Sequence, residues 1–326
     1  MTALTMVEAI ALALSRAMES DNSVVLLGED IGINGGVFRA TNGLLEKFGE
    51  QRVIDSPLAE TMIAGLAVGM SAQGMKPVIE AQFMGFIYPM VEQIICHASR
   101  MRHRTRGRLS CPMVLRAPFG GGIHAPEHHS ESTEAIFAHM PGVRVVIPSS
   151  PTRAYGLLLA AIRDPDPVIF LEPKRIYRLN REEVKDNGED LPLDVCFVLR
   201  DGSDITLVTW GSMIKETLEA ADKLAQQGIS AEVIDVATIS PLDMETIVES
   251  VQKTGRCVII HEAPRMCGVG AEIAAGLADT AIFHLHAPIK RVTGYDSVMP
   301  LYRMEKQYMP CVKRILGAVM EVMEVS

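Results

Sequence analysis

Short, continuously apolar segments alternate with amphipathic segments along most of the chain, and this alternation constrains the fold more than any other feature. In the first half, the predicted strands are VVLLG (24–28), PVIEAQF (77–83), MVLRA (113–117), VRVVIP (143–148) and PVIFLE (167–172). The predicted helices cover residues 5–20, 61–74, 87–104 and 150–164. Apolar strands between amphipathic helices are typical of a parallel sheet with helices on both faces. The sequence therefore predicts an α/β fold.

A charged segment at residues 178–204, which includes RLNREEVKDNGEDLP, interrupts this pattern. A second alternation follows it. Strands are predicted at 205–210, 231–236, 256–261 and near 282–286, and helices at 213–227, 243–253, 269–280 and 311–324. We therefore predict two α/β/α domains, at residues 1–180 and 204–326, with an exposed linker at 181–203.

Composition excludes several classes of function. The net charge of −9 argues against a basic surface for nucleic acid or for an anionic membrane. No apolar run approaches the ~20 residues that a membrane-spanning helix needs. The first segment has no basic start, and Glu8 interrupts its apolar stretch, so it does not resemble a signal peptide. Six scattered cysteines without a CxxC pair indicate reduced thiols. We expect a cytoplasmic protein with no nucleic-acid or membrane partner.

Glu60 is the first candidate for chemistry because it directly precedes the predicted helix at 61–74. A helix N-terminus stabilises negative charge, and the alternative is a carboxylate that only stabilises the helix. The helix also contains Gly65 and Gly69, each of which costs about 1 kcal/mol relative to Ala. We expect close approach of another backbone or of a ligand to offset that cost.

The segment PFGGGIHAPEHHSES (118–132) is the second candidate. It contains three glycines, followed by His124, His128 and His129 with acidic residues between them. A loop with histidines and acids, placed between a strand and a helix, suits acid–base chemistry. A zinc site is a weaker alternative, since adjacent histidines point apart and no cysteine completes a ligand set. The remaining alternative is a solvated polar loop.

Two further motifs have simpler explanations. The arginine-rich stretch Arg100–Arg108 is similar to a phosphate or nucleic-acid patch. On a net-acidic chain, a solvated helix end or a subunit interface is favoured instead. The segment beginning Gly268-Val-Gly resembles the start of a dinucleotide fingerprint, but Ile273 stands where the third glycine belongs, so NAD binding is discounted.

Taken together, these motifs resemble the beta subunit of the thiamin-diphosphate-dependent decarboxylating component of 2-oxo acid dehydrogenase complexes. That group includes pyruvate, branched-chain 2-oxo acid and acetoin dehydrogenases. The resemblance covers nearly the whole chain, and its most specific stretches are LLGEDIGINGGVFRAT, RVIDSPLAETMIAGLAVGMSAQGMKPVIEAQF, LRAPFGGGIHAPEHHSES and APIKRVTGYD. It implies an N-terminal pyrimidine-binding (transketolase-like) domain and a C-terminal transketolase-type domain.

The resemblance also implies roles for individual residues around thiamin diphosphate. Glu60 would face the aminopyrimidine ring and share a proton with its N1 atom, and we expect burial against Leu58 and Met62 to raise the pKa of this carboxyl. Leu58 would line the pyrimidine pocket and Phe86 would stack on the ring. Glu29 would be a second acid that links the pocket to its symmetry mate.

The same resemblance matches His129 to the active-site histidine near the substrate and the lipoyl group, and His128 remains the alternative. It also implies a structural potassium ion, held largely by carbonyl oxygens. The matching positions are Met113, Ala161, Ile162, Asp164 and Asp166, the last of which replaces an Asn of relatives.

The chain lacks the Gly-Asp-Gly motif that, in the family, holds Mg²⁺ and the diphosphate. The resemblance therefore implies that an alpha subunit supplies this half of the site in an α₂β₂ heterotetramer, and that the chain alone is inactive. It also implies docking of the C-terminal domain on the peripheral-subunit-binding domain of the dihydrolipoyl acyltransferase. Two other functions compete with this one. The chain could act chiefly as an assembly subunit. A two-domain nucleotide-binding protein would need a phosphate loop, which we do not find.

Pyruvate is the expected 2-oxo acid substrate, because the loop PFGGGIHAPEHHSES is most similar to bacterial pyruvate-type subunits. The segment VESVQKTGRCVIIHEAPRMCG is more similar to branched-chain subunits. The branched-chain and acetoin alternatives therefore stay open.

Overall fold

The structure is a computed structural model that describes residues 2–325, and the chain divides into two compact units. The first unit extends to Phe119 and resumes over Ile136–Leu193, and the second comprises Gly120–Ala135 and the chain from Asp194 onward. The domains predicted at 1–180 and 204–326 differ from this division in two respects: the linker predicted at 181–203 is shared between the units, which divide after Leu193, and one loop changes unit. The segment Gly120–Ala135 belongs to the second unit because carboxylates of that unit accept hydrogen bonds from its backbone.

A parallel sheet forms the centre of the first unit, as the apolar strands predict. Its strands lie in the order Arg144–Val146, Val168–Pro173, Val114–Phe119, Lys76–Glu80, Val24–Gly28 and Val53–Asp55. Every residue of Val24–Gly28, Val114–Phe119 and Val168–Pro173 is buried. Burial on both faces explains why these strands are apolar throughout and do not alternate with polar residues.

The α-helices of the first unit are Met6–Ser20, Leu44–Phe48, Glu60–Ala72, Val91–Cys96, Met101–Arg104 and Pro151–Arg163. A capping interaction begins the first of them, since the Glu8 carboxylate accepts the Thr5 backbone N–H at 2.7 Å. The connections through Glu60–Ala72 and Pro151–Arg163 cross the sheet in opposite directions, so right-handed crossovers place these helices on opposite faces.

The single helix predicted over 87–104 is wrong. The structure has 3-10 turns at Tyr88–Met90 and Ala98–Arg100, with the short helices Val91–Cys96 and Met101–Arg104 beside them. His97 leaves helical geometry at φ −123° and ψ −65°. The Ser99 hydroxyl donates to the Ile95 carbonyl at 2.8 Å, a local bond of the kind that competes with a regular helix.

The second unit contains a five-stranded sheet. Its order is Lys290–Val292, Cys257–Ile260, Ile205–Thr209, Ala231–Asp235 and Phe197–Arg200, with only the last strand antiparallel. Its helices are Ile214–Ala225, Met244–Thr254, Val269–Ala281, Tyr302–Tyr308 and Val312–Met323, and Thr238–Ser240 is a further short strand. The helix Glu134–Ala138 begins in this unit and ends in the first. The second alternation is thus confirmed.

Two details of the predicted pattern are corrected. No strand forms near 282–286, where Ile282–His284 is a 3-10 turn and Phe283 is 99% exposed, so this apolar pair does not face a sheet. The predicted exposed linker at 181–203 contains two strands. Glu182–Val184 pairs with Thr2–Leu4 in the first unit, and Phe197–Arg200 joins the sheet of the second. Within residues 2–325, no helix is long and apolar enough to cross a membrane.

Candidate active site

Glu60 is the first residue of the helix Glu60–Ala72, which follows the carboxyl end of the edge strand Val53–Asp55. Ala59, at φ −159° and ψ 71°, precedes the helix as its N-cap. The hydroxyl of Thr61 donates to the Pro89 carbonyl at 2.9 Å and fixes the helix start to the segment that follows the strand Lys76–Glu80. The carboxylate thus lies at a helix N-terminus, at the sheet edge where parallel α/β folds bind ligands.

Glu29 lies beside Glu60, so the structure brings two of the predicted site residues together. It follows the strand Val24–Gly28 and its side chain is buried. Burial, followed by the negative charge of Glu60, raises the pKa of Glu29, although the Ala59 backbone N–H works in the opposite direction. One buried oxygen, Oε1, has no hydrogen-bond partner among the residues that the structure describes. The pair can therefore hold a proton next to an unsatisfied acceptor.

Phe86 and Leu58 border the same edge of the sheet. Phe86 ends the 3-10 turn Met84–Phe86 and contacts Phe83 edge-to-face, with ring centroids 5.9 Å apart. Leu58 is 80% exposed and Met62 is 38% exposed. The apolar enclosure that we expected these two side chains to give Glu60 is therefore not formed by this chain alone.

The small-residue face of the Glu60 helix is open. A Cβ atom at Gly69 would meet nothing within 4 Å, and one at Gly65 would meet only the Gln93 side chain at 3.5 Å. A groove of about 550 Å³ lies along this face, with Met62, Leu66 and other apolar side chains in its lining. The close approach predicted from the glycines is thus not made within the part of the chain that the structure describes.

A buried ion-pair cluster, which no sequence motif predicted, lies in the central strands of the same sheet. Arg116 donates to Glu172 at 2.6 and 3.0 Å and to Glu80 at 2.8 Å. Burial raises the pKa of Glu80, although the guanidinium of Arg116 lowers it. Burial also raises the pKa of Tyr177, whose hydroxyl donates to Glu172 at 2.5 Å. The available signal was a charged residue of complementary sign within the apolar runs of three strands: Glu80, Arg116 and Glu172.

The histidine loop belongs to the second unit. His128 and His129 lie in the 3-10 turn Glu127–His129, with His128 exposed and His129 half-buried. The ring nitrogen Nδ1 of the third histidine, His124, lies 2.8 Å from a carboxylate oxygen of Glu305. This contact makes His124 less suited to bind a metal ion. No group of three or more His, Cys, Asp or Glu side chains between residues 2 and 325 is arranged to hold a metal ion.

Four of the five residues matched to a potassium site lie in the last turn of the helix Pro151–Arg163 or just after it, and Met113 directly precedes the strand Val114–Phe119. The Met113 carbonyl accepts the Val168 N–H at 3.0 Å, and Asp164 pairs with Arg144 at 3.2 Å. The carboxylate of Asp166 is held by Arg102 of the arginine-rich stretch at 2.8 Å. Carbonyl oxygens at a helix C-terminus, such as those of Ala161 and Ile162, suit a monovalent cation, whereas the Asp166 carboxylate is already paired.

Both units match known families. Residues 2–180 match the family "Transketolase, pyrimidine binding domain" and residues 196–315 match "Transketolase, C-terminal domain". A solved structure titled "Split gene transketolase, inactive beta4 tetramer" aligns with a TM-score of 0.81 at 24% identity, over 99% of both chains, and supports the fold. The chain is therefore a transketolase-type protein with a pyrimidine-binding and a C-terminal domain.

Curated relatives identify the family more closely. The chain is 46% identical over 324 residues to the pyruvate dehydrogenase E1 component subunit beta of Bacillus subtilis, covering 99% of this chain and 100% of that one. It is 49% identical over 319 residues to the protein of the same name from Acholeplasma laidlawii, with 98% of each chain covered. The chain belongs to the beta-subunit family of the E1 component of 2-oxo acid dehydrogenases.

Proposed function

We propose that this chain is the beta subunit of a pyruvate dehydrogenase E1 component. It takes part in thiamin-diphosphate-dependent oxidative decarboxylation of pyruvate and in acyl transfer to the lipoyl group of the acyltransferase. The observation that carries this proposal is the pair Glu29 and Glu60, a buried carboxyl with a raised pKa beside a carboxylate at a helix N-terminus. The relatives named for pyruvate support the choice of substrate.

The residues of this chain fit the pyrimidine half of thiamin diphosphate. When bound, that cofactor supplies a carbon centre that adds to the keto group and accepts the electrons released with CO₂. Glu60 holds and returns a proton at the ring nitrogen N1. Phe86 packs on the ring and Leu58 lines its pocket. Glu29, with its unsatisfied buried oxygen, keeps a second proton within the site and links it to the symmetry-related one.

His129 acts at the substrate and lipoyl end of the same reaction, and His128 is the alternative. The support for His129 is its half-buried position in the 3-10 turn Glu127–His129, in contrast to the exposed His128. An imidazole can donate a proton to, or accept one from, the reacting oxygen and sulfur atoms near neutral pH.

The remaining half of the site comes from an alpha subunit in an α₂β₂ heterotetramer. The open apolar groove and the exposed Leu58 support a partner chain at this edge. The alpha subunit holds Mg²⁺ and the diphosphate, since the sequence has no Gly-Asp-Gly. A potassium ion binds at carbonyls near Met113 and Ala161. The second unit docks on the peripheral-subunit-binding domain of the acyltransferase, and the assembly is cytoplasmic.

Reconstitution tests this proposal. The chain is purified alone and with its alpha subunit, and decarboxylation is measured with thiamin diphosphate, Mg²⁺ and an artificial electron acceptor. We expect no turnover by the chain alone, turnover by the pair, and a higher kcat/KM for pyruvate than for 3-methyl-2-oxobutanoate. Substantial turnover by the isolated chain contradicts the half-site, and preference for the branched substrate contradicts pyruvate as the substrate.

A further inference from the structure

We propose that Glu262 and Glu305 are positioning residues that hold the histidine loop, Gly120–Ser132, in its working conformation. Both are buried carboxylates of the second unit, with 4% and 2% exposure. The inference deepens the proposed function and rests on the role given there to His129. It concerns how that histidine is held, which neither the family matches nor the sequence motifs address.

Glu262 anchors both ends of the loop. It follows the strand Cys257–Ile260, and its Oε1 atom accepts the Gly121 backbone N–H at 2.9 Å and the Ser132 hydroxyl at 2.7 Å. Its other oxygen accepts the Ser212 hydroxyl at 2.5 Å, which fixes the carboxylate to the unit itself. A single side chain therefore joins the first and last parts of the loop to the sheet.

Glu305 holds the glycine-rich arm of the same loop. It lies on the helix Tyr302–Tyr308 and accepts the Gly122 N–H at 2.8 Å and the His124 N–H at 3.2 Å. The His124 ring nitrogen Nδ1 lies 2.8 Å from its second oxygen. Hydrogen bonds to an ionised group are the strong ones, and burial removes the water that would compete for them.

The loop backbone is shaped to reach these carboxylates. Gly120 has φ +82°, and a Cβ atom there would come within 2.2 Å of Glu262 Oε1. Gly122 has φ +86°, and His124 also adopts a positive φ of 60°. Glycine adopts such geometry without the strain that a Cβ atom causes, which explains Gly120 and Gly122, while a Cβ atom at Gly121 would come within 2.3 Å of the Met299 side chain.

Between the anchors, the loop forms a closed unit that carries the histidines. The Gly120 N–H donates to the Glu131 carbonyl at 2.9 Å and closes the loop. Inside it, the His129 N–H donates to Pro126 at 3.0 Å and the Ser130 N–H donates to Glu127 at 2.8 Å. These bonds hold the shape of the turn that presents His128 and His129, and the two carboxylates attach its loop to the second unit. A loosened attachment displaces the whole turn, which is costly for a group that must meet a reacting atom.

The test uses Glu262→Gln and Glu305→Gln in the complex reconstituted with the alpha subunit, with Glu249→Gln, an exposed carboxylate of the same unit, as the matched control. Hydrogen exchange of the peptide covering residues 120–132 is measured by mass spectrometry. In parallel, kcat and KM for pyruvate are measured with lipoyl domain as acceptor. We expect at least tenfold faster exchange of the loop, a kcat lowered about tenfold or more, and a KM for pyruvate changed less than threefold.

Ser132→Ala removes one loop anchor while leaving Glu262 in place, and covers the case in which Glu262→Gln does not fold. Unchanged loop exchange in Glu305→Gln and Ser132→Ala overturns the proposal. Faster exchange with unchanged kcat also overturns it, because the anchors then hold the loop without serving the reaction.

His129→Ala separates this failure from failure of the proposed function. If His129→Ala lowers kcat while loosening of the loop does not, only the positioning role fails. If His129→Ala leaves kcat unchanged, the role assigned to His129 fails, and the positioning proposal falls with it.

Discussion

Glu134→Gln gives a prediction whose magnitude follows from the structure. Glu134 is fully buried, its Oε1 atom accepts the Trp210 indole N–H at 3.3 Å, and its Oε2 atom has no hydrogen-bond partner within residues 2–325. Burial, together with the charge of Glu262, raises the pKa of Glu134 from 4.5 to about 8. The native state therefore keeps the proton over a range of pH in which the unfolded chain has lost it.

The sign follows from proton linkage. Between the unfolded and folded pKa values, the native state binds more protons than the unfolded state, so stability falls as pH rises through this range. From pH 5.5 to pH 8.5, the free energy of unfolding of the wild-type chain falls by about 3 kcal/mol, at up to about 1.4 kcal/mol per pH unit below the folded pKa. Glutamine carries no such proton, so Glu134→Gln does not lose this stability.

Urea unfolding at pH 5.5 and at pH 8.5 measures this difference. Trp210 is the only tryptophan of the chain and contacts Glu134, so its fluorescence reports on the second unit. The buried amide of the variant lowers its free energy of unfolding by about the same amount at both pH values. This loss cancels because the comparison uses only the change in the free energy of unfolding between pH 5.5 and pH 8.5. Equal pH dependence in wild type, Glu134→Gln and the control Glu249→Gln refutes the reasoning.

Three further predictions concern other buried or exposed groups. Burial, followed by the charge of Arg291, lowers the pKa of His261 to about 3. The free energy of unfolding therefore falls by about 1.4 kcal/mol per pH unit as the pH drops below 6.5. In acid unfolding, His261→Asn removes this slope. Arg116→Met leaves two buried carboxylates without their cation and lowers the free energy of unfolding by about 3–5 kcal/mol in urea. The surface control Arg104→Met lowers it by less than about 0.5 kcal/mol. Equal losses in the two variants contradict this prediction. Leu58→Ser leaves unfolding unchanged because Leu58 is 80% exposed, but it raises the thiamin diphosphate concentration needed for half-maximal activity of the reconstituted pair.

The sheet strands were predictable because their signal is local. Val24–Gly28 has the predicted bounds, and the other predicted strands, apart from the one near 282–286, differ from the structure by a few residues at their ends. Helix interruption at His97 was not predictable from periodicity, because it depends on backbone geometry and on a side-chain bond from Ser99. The strand predicted near 282–286 failed for another reason, since the apolar residues Ile282 and Phe283 are exposed.

The site was predictable only where the order of the strands in the sheet brings its residues together. Glu29 and Glu60 follow neighbouring strands, so the parallel sheet brings them together. Glu262 and Glu305 were missed because their partners are backbone N–H groups far away in sequence, which no motif records. The exposure of Leu58 was also not predictable, because apolar character alone does not distinguish the core from an interface.

Turnover of Glu60→Gln in the reconstituted pair tests the central claim most directly. The isosteric amide keeps the size of the side chain but cannot share and return a proton at the cofactor. We expect kcat to fall at least ~100-fold while the pair still assembles, and the control Glu50→Gln, an exposed carboxylate, to retain full activity. An assembled Glu60→Gln pair that turns over pyruvate at nearly the wild-type rate would contradict it.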